Sequence, residues 1–223
     1  MTFPNAANGM KKIYVAEILA LVAALCTGLM LIITAFTLSS AQSLNISGAL
    51  TGGIFLLFFG LGAFVLLVLA LIFNMIGIAS AKKDETGEKK NFATAFICVI
   101  CSICCSVLGG IFASSVPFLG TLLNTAGRLL DLFATYFILY GVADFAEKLG
   151  QTELAAKAKA MVIKLCILYC VSIVFNTLFS FLSAKIGMII AVIFSLVVIV
   201  FSVMYYILYL RIIKEARDTF ANS

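Results

Sequence analysis

Residues 50–79 read LTGGIFLLFFGLGAFVLLVLALIFNMIGIA, and none of these thirty side chains is charged. A helix of about 20 apolar residues crosses the hydrocarbon core of a bilayer, so this run is long enough to span it. Within one segment, only a helix satisfies all of its own backbone hydrogen bonds in lipid, and the run does not alternate as a barrel strand would. The stretch therefore predicts a transmembrane helix.

Five more apolar runs follow the same pattern. The six predicted spans lie at about 13–38, 50–79, 92–113, 120–146, 161–182 and 186–210, with a short tail at 211–223. The chain is 64% hydrophobic and 11% charged, whereas soluble domains carry roughly 45–50% apolar and about 25% charged residues. We therefore predict an all-α protein in which residues 1–223 form a single transmembrane domain, placed as a multi-pass protein in the cell membrane.

The basic residues predict the orientation of these spans. Thirteen of the fifteen Lys and Arg residues precede the first run, lie between the second and the third, lie between the fourth and the fifth or in the first turn of the fifth, or follow the sixth. Cytoplasmic segments carry such an excess of Lys and Arg, and an odd number of spans would distribute it over both faces. The prediction is a bundle of six helices arranged as three hairpins, with cytoplasmic N- and C-termini.

Glycines in the charged connections predict where helices end. Gly87 and Gly150 each follow a helical pattern, and a glycine just past a helix end adopts the left-handed cap conformation at little cost. Thr152 can then cap the next helix, and Glu153 can pair with Lys157 one turn later. The fifth helix is therefore predicted to begin at about Thr152, before its apolar run.

Two charges fall inside the fourth run. Arg128 and Asp131 are three residues apart and share a helix face. A charge in the hydrocarbon core costs roughly 2.5–3.5 kcal/mol on insertion scales, so such residues usually face a bundle interior or a water-filled cavity. If the helix begins near Phe118, the pair lies at mid-membrane; if it begins near Arg128, the pair is interfacial. The polar stretch 124–127 favours the interfacial alternative.

The polar residues of the apolar runs form one candidate set for a cavity. Glu17 lies in the first turns of the first run, and Asn176 lies near the middle of the fifth. The full set is Arg128, Asp131, Asn176 and Glu17. Because six-span bundles with interior polar residues often handle solutes, we predict a small transporter, channel or substrate-binding membrane subunit.

A ladder of small residues predicts an alternative function. Ala16, Ala20, Ala24 and Gly28 recur every four residues in the first run, and such stripes let membrane helices approach closely. A similar ladder in the third run consists of Cys98, Ser102, Ser106, Gly110 and Ser114. The first ladder resembles the Ala-x-x-x-Ala surface by which small six-span substrate-binding subunits of energy-coupling transporters dock. This resemblance covers one helix. The ladder itself predicts either packing within the bundle or a non-catalytic assembly or regulatory subunit that docks through that face.

The cysteines give a third hypothesis. Cys98, Cys101, Cys104 and Cys105 follow a C-x-x-C-x-x-C-C pattern, and Cys166 and Cys170 could lie at a similar depth. Thiolates are soft ligands for copper(I), zinc or iron–sulfur clusters, so a thiol or metal membrane protein stays possible. The alternative is that these are ordinary small apolar residues.

Histidine is absent from the chain, which excludes imidazole metal ligands and Ser-His or Cys-His dyads. We therefore expect no enzyme, no catalytic or metal-binding residues and no cofactor. No basic face with interleaved aromatic residues occurs, so nucleic acid is not expected as a partner. The expected partners are the lipid bilayer and either a membrane protein or further copies of this chain.

Overall fold

The computed structural model describes the backbone of residues 3–42, 46–86, 90–179 and 184–222, and the side chains of these ranges except 31, 35–36, 38–42, 46–49, 172–179 and 184–199. The elements are α1 (Pro4–Gln42), α2 (Ile46–Ala81), a 3-10 turn (Lys82–Asp84), α3 (Asn91–Ser115), α4 (Pro117–Lys148), α5 (Thr152–Phe179) and α6 (Ala184–Ala221). No strand occurs among the described residues. The all-helical prediction is confirmed.

Four helical segments of the described chain are long and apolar enough to cross a membrane. They are Pro4–Thr34, Leu50–Asp84, Asn91–Ser115 and Pro117–Lys148. These segments support a membrane protein. The apolar centres of α5 and α6 fall largely where side chains are not described, so the number of six spans stays a prediction. The arrangement as three hairpins and the cytoplasmic termini stay predictions as well.

The chain forms two compact units. The smaller unit consists of Lys11–Gly77, and the larger unit consists of Met1–Met10 with Ile78–Ser223. Large apolar side chains of the smaller unit are exposed along α2, among them Leu57 and Phe58. Such a surface suits lipid, because the bilayer core solvates apolar side chains without the cost of exposing them to water.

Helices α3 and α4 are joined by Val116 alone and pack antiparallel along their length. A Cβ atom added at Gly120 would lie 2.7 Å from the Cα atom of Ala113, and one added at Gly127 would lie 2.9 Å from Ser106 Oγ. These distances are shorter than a van der Waals contact, so the backbones approach as closely as they do because these positions are glycine.

Four of the buried small residues of α4 recur every seven positions and form a row along the helix. They are Gly120, Gly127, Ala134 and Gly141. A repeat of seven keeps one seam facing a partner helix at 3.5 residues per turn, as in left-handed coiled coils. The small-residue ladder predicted on α3 has a spacing of four, so its successive positions turn away from the face of α3 that contacts α4. Gly109, which is not in the ladder, is buried against Asn124, whereas the ladder residue Gly110 has no atom within 4 Å of an added Cβ.

An aromatic core lies where the charged ends of the helices meet in the larger unit. Its four rings are Phe3, Phe92, Phe145 and Phe220. Phe145 is 1% exposed and stacks on Phe3 at a centroid distance of 4.7 Å and on Phe92 at 5.4 Å. Phe220 meets the same ring edge-on at 5.9 Å. Phe3, which precedes the first predicted span in the sequence, and Phe220, which follows the sixth, thus belong to one buried cluster.

Both terminal helices continue beyond the apolar runs in the described chain. In the predicted tail 211–223, α6 continues through Ala221 and buries Ile213 and Ala216. Before the first predicted span, α1 already begins at Pro4 and buries Ala6 and Met10. These helix ends are therefore part of the buried interior of the larger unit.

Two acidic side chains cap helix N-termini in this region. Asp84 accepts hydrogen bonds from the Ala6 backbone N–H and from Asn5 Nδ2, both at 2.7 Å. Glu85 accepts from the backbone N–H groups of Phe92 at 2.5 Å and Ala93 at 3.0 Å. Burial raises the pKa of Glu85 above its ordinary value, and the two N–H donors oppose that rise. The caps link the connection after α2 to the starts of α1 and α3.

The predicted end of α4 and start of α5 are confirmed. Gly150 has a φ of 74°, and the next N–H, from Gln151, donates to the Ala146 carbonyl at 2.8 Å. Helix α5 begins at Thr152, and Lys157 pairs with Glu153 at 3.0 Å. The other predicted glycine stop, Gly87, lies outside the described residues.

Candidate functional site

Helix α4 carries the two charges of the fourth run without interruption. It begins at Pro117 and not near Arg128, while the depth of the charged pair in a membrane stays a prediction. Proline suits the first helical position because its φ is already helical and its missing N–H has no partner there. The polar stretch 124–127 stays helical because it packs on α3, with Asn124 against Gly109.

The continuous helix places the charged pair far from both of its ends. Asp131 follows Pro117 by 14 residues and precedes Asp144 by 13, which corresponds to about 21 Å and about 20 Å of helical rise. Arg128 lies about 16 Å from the start of the helix. If α4 crosses a hydrocarbon core about 30 Å thick with Asp144 at one surface, Asp131 lies about 20 Å and Arg128 about 24 Å from that surface, inside the core and beyond its midplane.

Both side chains of the pair are exposed. Arg128 and Asp131 occupy one face of α4, but among the described residues neither takes part in an ion pair. Ala134, one turn further, is buried against the rest of the unit. Both charges therefore stay exposed although they lie beside the buried positions that α4 shares with α3.

The membership of the other two predicted cavity residues, Glu17 and Asn176, stays a prediction. Glu17 is half-buried and belongs to the smaller unit. Asn176 lies in α5, but its side chain is outside the described residues. Asn74, which the candidate set omits, has a buried Oδ1 atom with no hydrogen-bond partner in the described part of the chain.

The small-residue ladder of α1 is buried at its first residue and exposed at its last two. Ala16 is 2% exposed, Ala20 is half-buried, and Ala24 and Gly28 are exposed. A Cβ atom added at Gly28 would meet nothing within 4 Å. The part of the ladder nearer the centre of α1 is thus available for contact.

All seven cysteines are free, and four of them are exposed: Cys101, Cys104, Cys166 and Cys170. Within the described residues, no group of three or more Cys, Asp or Glu side chains is arranged to hold a metal ion. The C-x-x-C-x-x-C-C pattern therefore gives the thiol hypothesis no geometric support there.

A cavity between α5 and α6 collects charges that sequence reasoning used only for topology. It has a volume of about 370 Å³ and is lined by Lys157, Lys164, Arg211 and Glu215 among others. Glu215 accepts from Lys157 Nζ at 3.0 Å, and this bond, followed by the one to Glu153, raises the pKa of Lys157. The available signal was positional, since Lys164 lies in the first turn of the fifth apolar run and Arg211 directly follows the sixth.

Four helices of the described chain are long and apolar enough to cross a membrane, which supports a helical membrane protein. Comparison with known proteins finds no matching family model, no matching curated protein and no matching solved structure.

Proposed function

We propose that this membrane protein passes or binds a polar solute, as a small transporter, channel or substrate-binding membrane subunit. Arg128 and Asp131 are the residues that contact the solute in this proposal. The observation that carries it is their exposed position, about midway along a continuous apolar helix.

The energetic argument concerns what surrounds two exposed charges at that depth. Each would cost roughly 2.5–3.5 kcal/mol against lipid, and no described ion pair offsets this. A water-filled path along this face of α4 removes most of the cost, because water solvates both groups. A solute path is therefore the simplest environment in which these side chains are stable.

The chemistry of the pair indicates the kind of solute. The Arg128 guanidinium presents a planar fork of donors that suits carboxylate or phosphate groups. The Asp131 carboxylate accepts hydrogen bonds from ammonium groups or binds a cation. One helical turn, roughly 5–6 Å between Cβ atoms, separates the two. That spacing matches a small zwitterion, such as an amino acid, with its opposite charges a few ångströms apart.

Solvent accessibility tests the path directly. In a background where the seven native cysteines are replaced by Ser, we expect Arg128→Cys and Asp131→Cys to react with a membrane-impermeant charged thiol reagent in proteoliposomes. Thiol reactivity requires the thiolate, which forms only where water reaches the sulfur. Leu129→Cys and Phe133→Cys are matched controls on exposed apolar positions of the same stretch and should stay unlabelled.

Two results would contradict the proposal. Four unlabelled positions would mean that this face of α4 is dry. Four labelled positions would mean that the segment lies outside the bilayer. If the path exists, the doubly neutral variant Arg128→Gln with Asp131→Asn should abolish osmotic swelling of proteoliposomes in amino-acid solutions while the helical circular dichroism is unchanged.

A second function is supported by a different observation. Helix α3 occupies the space next to the buried glycines of α4. In contrast, Ala24 and Gly28 of α1 are exposed, and a Cβ atom added at Gly28 would meet nothing within 4 Å. Small residues at an open helix face permit close approach of another helix in lipid. We therefore keep an assembly or regulatory subunit, docked through Ala16, Ala20, Ala24 and Gly28, as the alternative.

A pair of glycine variants tests this docking face. If the assembly function holds, Gly28→Leu should remove a partner chain from the complex extracted in mild detergent, because the added side chain separates the helices. Gly62→Leu adds the same side chain at another exposed glycine of the same unit, with nothing within 4 Å, and should leave the complex intact. Native mass spectrometry reads the result against the single-chain mass of 23.9 kDa. A bare monomer already in the parent protein would exclude docking.

A further inference from the structure

The cavity between α5 and α6 has an unbalanced charge. Its lining contains three cations, Lys157, Lys164 and Arg211, and one anion, Glu215, for a net charge of +2. Lys157 already pairs with Glu215 and Glu153. Lys164 and Arg211 are exposed, and no ion pair with another described residue engages them. Two cations from neighbouring helices thus face one space without a described counter-ion.

The floor and the surroundings of the cavity are apolar. Met161 and Ile212 are buried at its base. Beyond the charges the two helices present exposed apolar side chains, Ile163 and Ile167 on α5 and Met204 and Ile207 on α6. The cavity therefore stands where a charged helix end changes into an apolar surface, the same change that a phospholipid makes between its headgroup and its acyl chains.

We propose that this cavity binds the phosphate-bearing headgroup of an anionic phospholipid. Lys164 and Arg211 contact the phosphate, and the acyl chains lie along the apolar surface of α5 and α6. Basic pockets between membrane helices on the cytoplasmic side hold anionic headgroups in this manner. Free inorganic phosphate would satisfy the same two cations, but it would make no use of the adjoining apolar surface. The inference requires the membrane placement of the helices and is independent of solute transport.

Lipid titration of the purified parent protein and three double variants tests this site. The double variant Lys164→Gln with Arg211→Gln removes both cations, and Lys164→Arg with Arg211→Lys keeps both charges. Lys83→Gln with Lys90→Gln is the control, because it removes two exposed charges elsewhere on the larger unit. Each protein is delipidated in neutral detergent and titrated with phosphatidylglycerol or phosphatidylcholine, and native mass spectrometry counts the lipids retained.

We expect the parent protein, the charge-keeping variant and the control to retain phosphatidylglycerol in preference to phosphatidylcholine. Because each basic residue near a membrane surface contributes about 1 kcal/mol, the double Gln variant should bind phosphatidylglycerol roughly tenfold to thirtyfold more weakly. Its unfolding temperature without lipid should match that of the control, since neither side chain has a described ion-pair partner.

Two outcomes would overturn the proposal. The first is equal retention of phosphatidylglycerol by the double Gln variant and the control. The second is a rise in unfolding temperature of the lipid-free parent protein with inorganic phosphate alone, at constant ionic strength, that the double Gln variant loses. That result would assign the cavity to a free anion instead of a lipid.

Discussion

Replacing Phe145 with Ala is expected to lower the free energy of unfolding by about 3–5 kcal/mol, the usual range for removing a buried phenylalanine. Phe145 is 1% exposed, and its ring contacts the rings of Phe3, Phe92 and Phe220. The substitution removes the central ring and leaves a cavity among the other three. Each lost aromatic pair adds roughly 0.5–1.5 kcal/mol beyond the buried area.

Phe133 supplies the control on the same helix. Its side chain is 50% exposed, so Phe133→Ala leaves no cavity and should change the unfolding free energy much less. Thermal unfolding in detergent, followed by circular dichroism, measures both variants. Limited proteolysis should in addition cut the ends of α1 and α6 faster in Phe145→Ala, because their anchoring rings lose a neighbour. Equal destabilisation by the two variants would show that burial of Phe145 among the other three rings adds nothing to the unfolding free energy.

The second large effect is expected at Gly120. Gly120→Ala would place a methyl group 2.7 Å from the Cα atom and 2.9 Å from the backbone nitrogen of Ala113. Neither atom belongs to a flexible side chain, so α3 and α4 must move apart. Overpacking of this kind costs roughly 1–3 kcal/mol and occasionally more. We expect a loss of that size in the unfolding free energy, despite the better helix propensity of alanine.

Gly110→Ala is the matched substitution on the partner helix. An added Cβ there meets nothing within 4 Å, so only the helix propensity changes, which favours alanine by about 1 kcal/mol. The variant should therefore be as stable as the parent protein or more stable. The substitution Gly109→Ala at the adjacent position should make the protein less stable than the parent, because the added methyl group would lie 2.6 Å from Asn124 Oδ1. Identical unfolding temperatures for all three variants would contradict the packing described for this seam.

Features set by neighbouring residues could be predicted from the sequence. The left-handed Gly150, the start of α5 at Thr152 and the pair of Glu153 with Lys157 all depend on interactions within one or two turns. The all-helical architecture follows in the same way from the apolar runs. No knowledge of the tertiary contacts is needed for any of these.

Features set by another helix could not be predicted. Local polarity at 124–127 suggested that α4 begins near Arg128, but contact with α3 keeps this stretch helical. Spacing by four selected Gly110, whereas the seam repeats every seven residues and uses Gly109. In both cases the partner helix decides which of two adjacent positions is buried, and a single sequence does not show the partner.

The charged cavity and the aromatic core could not be predicted for a different reason. Phe3 and Phe220 stand in polar segments that look like solvated ends, and Lys164 and Arg211 look like orientation signals. Their other roles appear only when distant parts of the chain are brought together, since Lys164 and Arg211 line one cavity and Phe3 and Phe220 contact one ring.

The order in which the chain is synthesised determines when the aromatic core can form. Phe3 is made first, yet Phe220, which closes the cluster on Phe145, follows it by 217 residues. At about 5–20 residues per second, the ribosome needs roughly 10 to 40 s to deliver the last ring. The first turn of α1 is therefore synthesised long before its final neighbours exist. The aromatic core closes only once Phe220 has been made, so a chain cut short before that residue would lack the edge-on contact with Phe145.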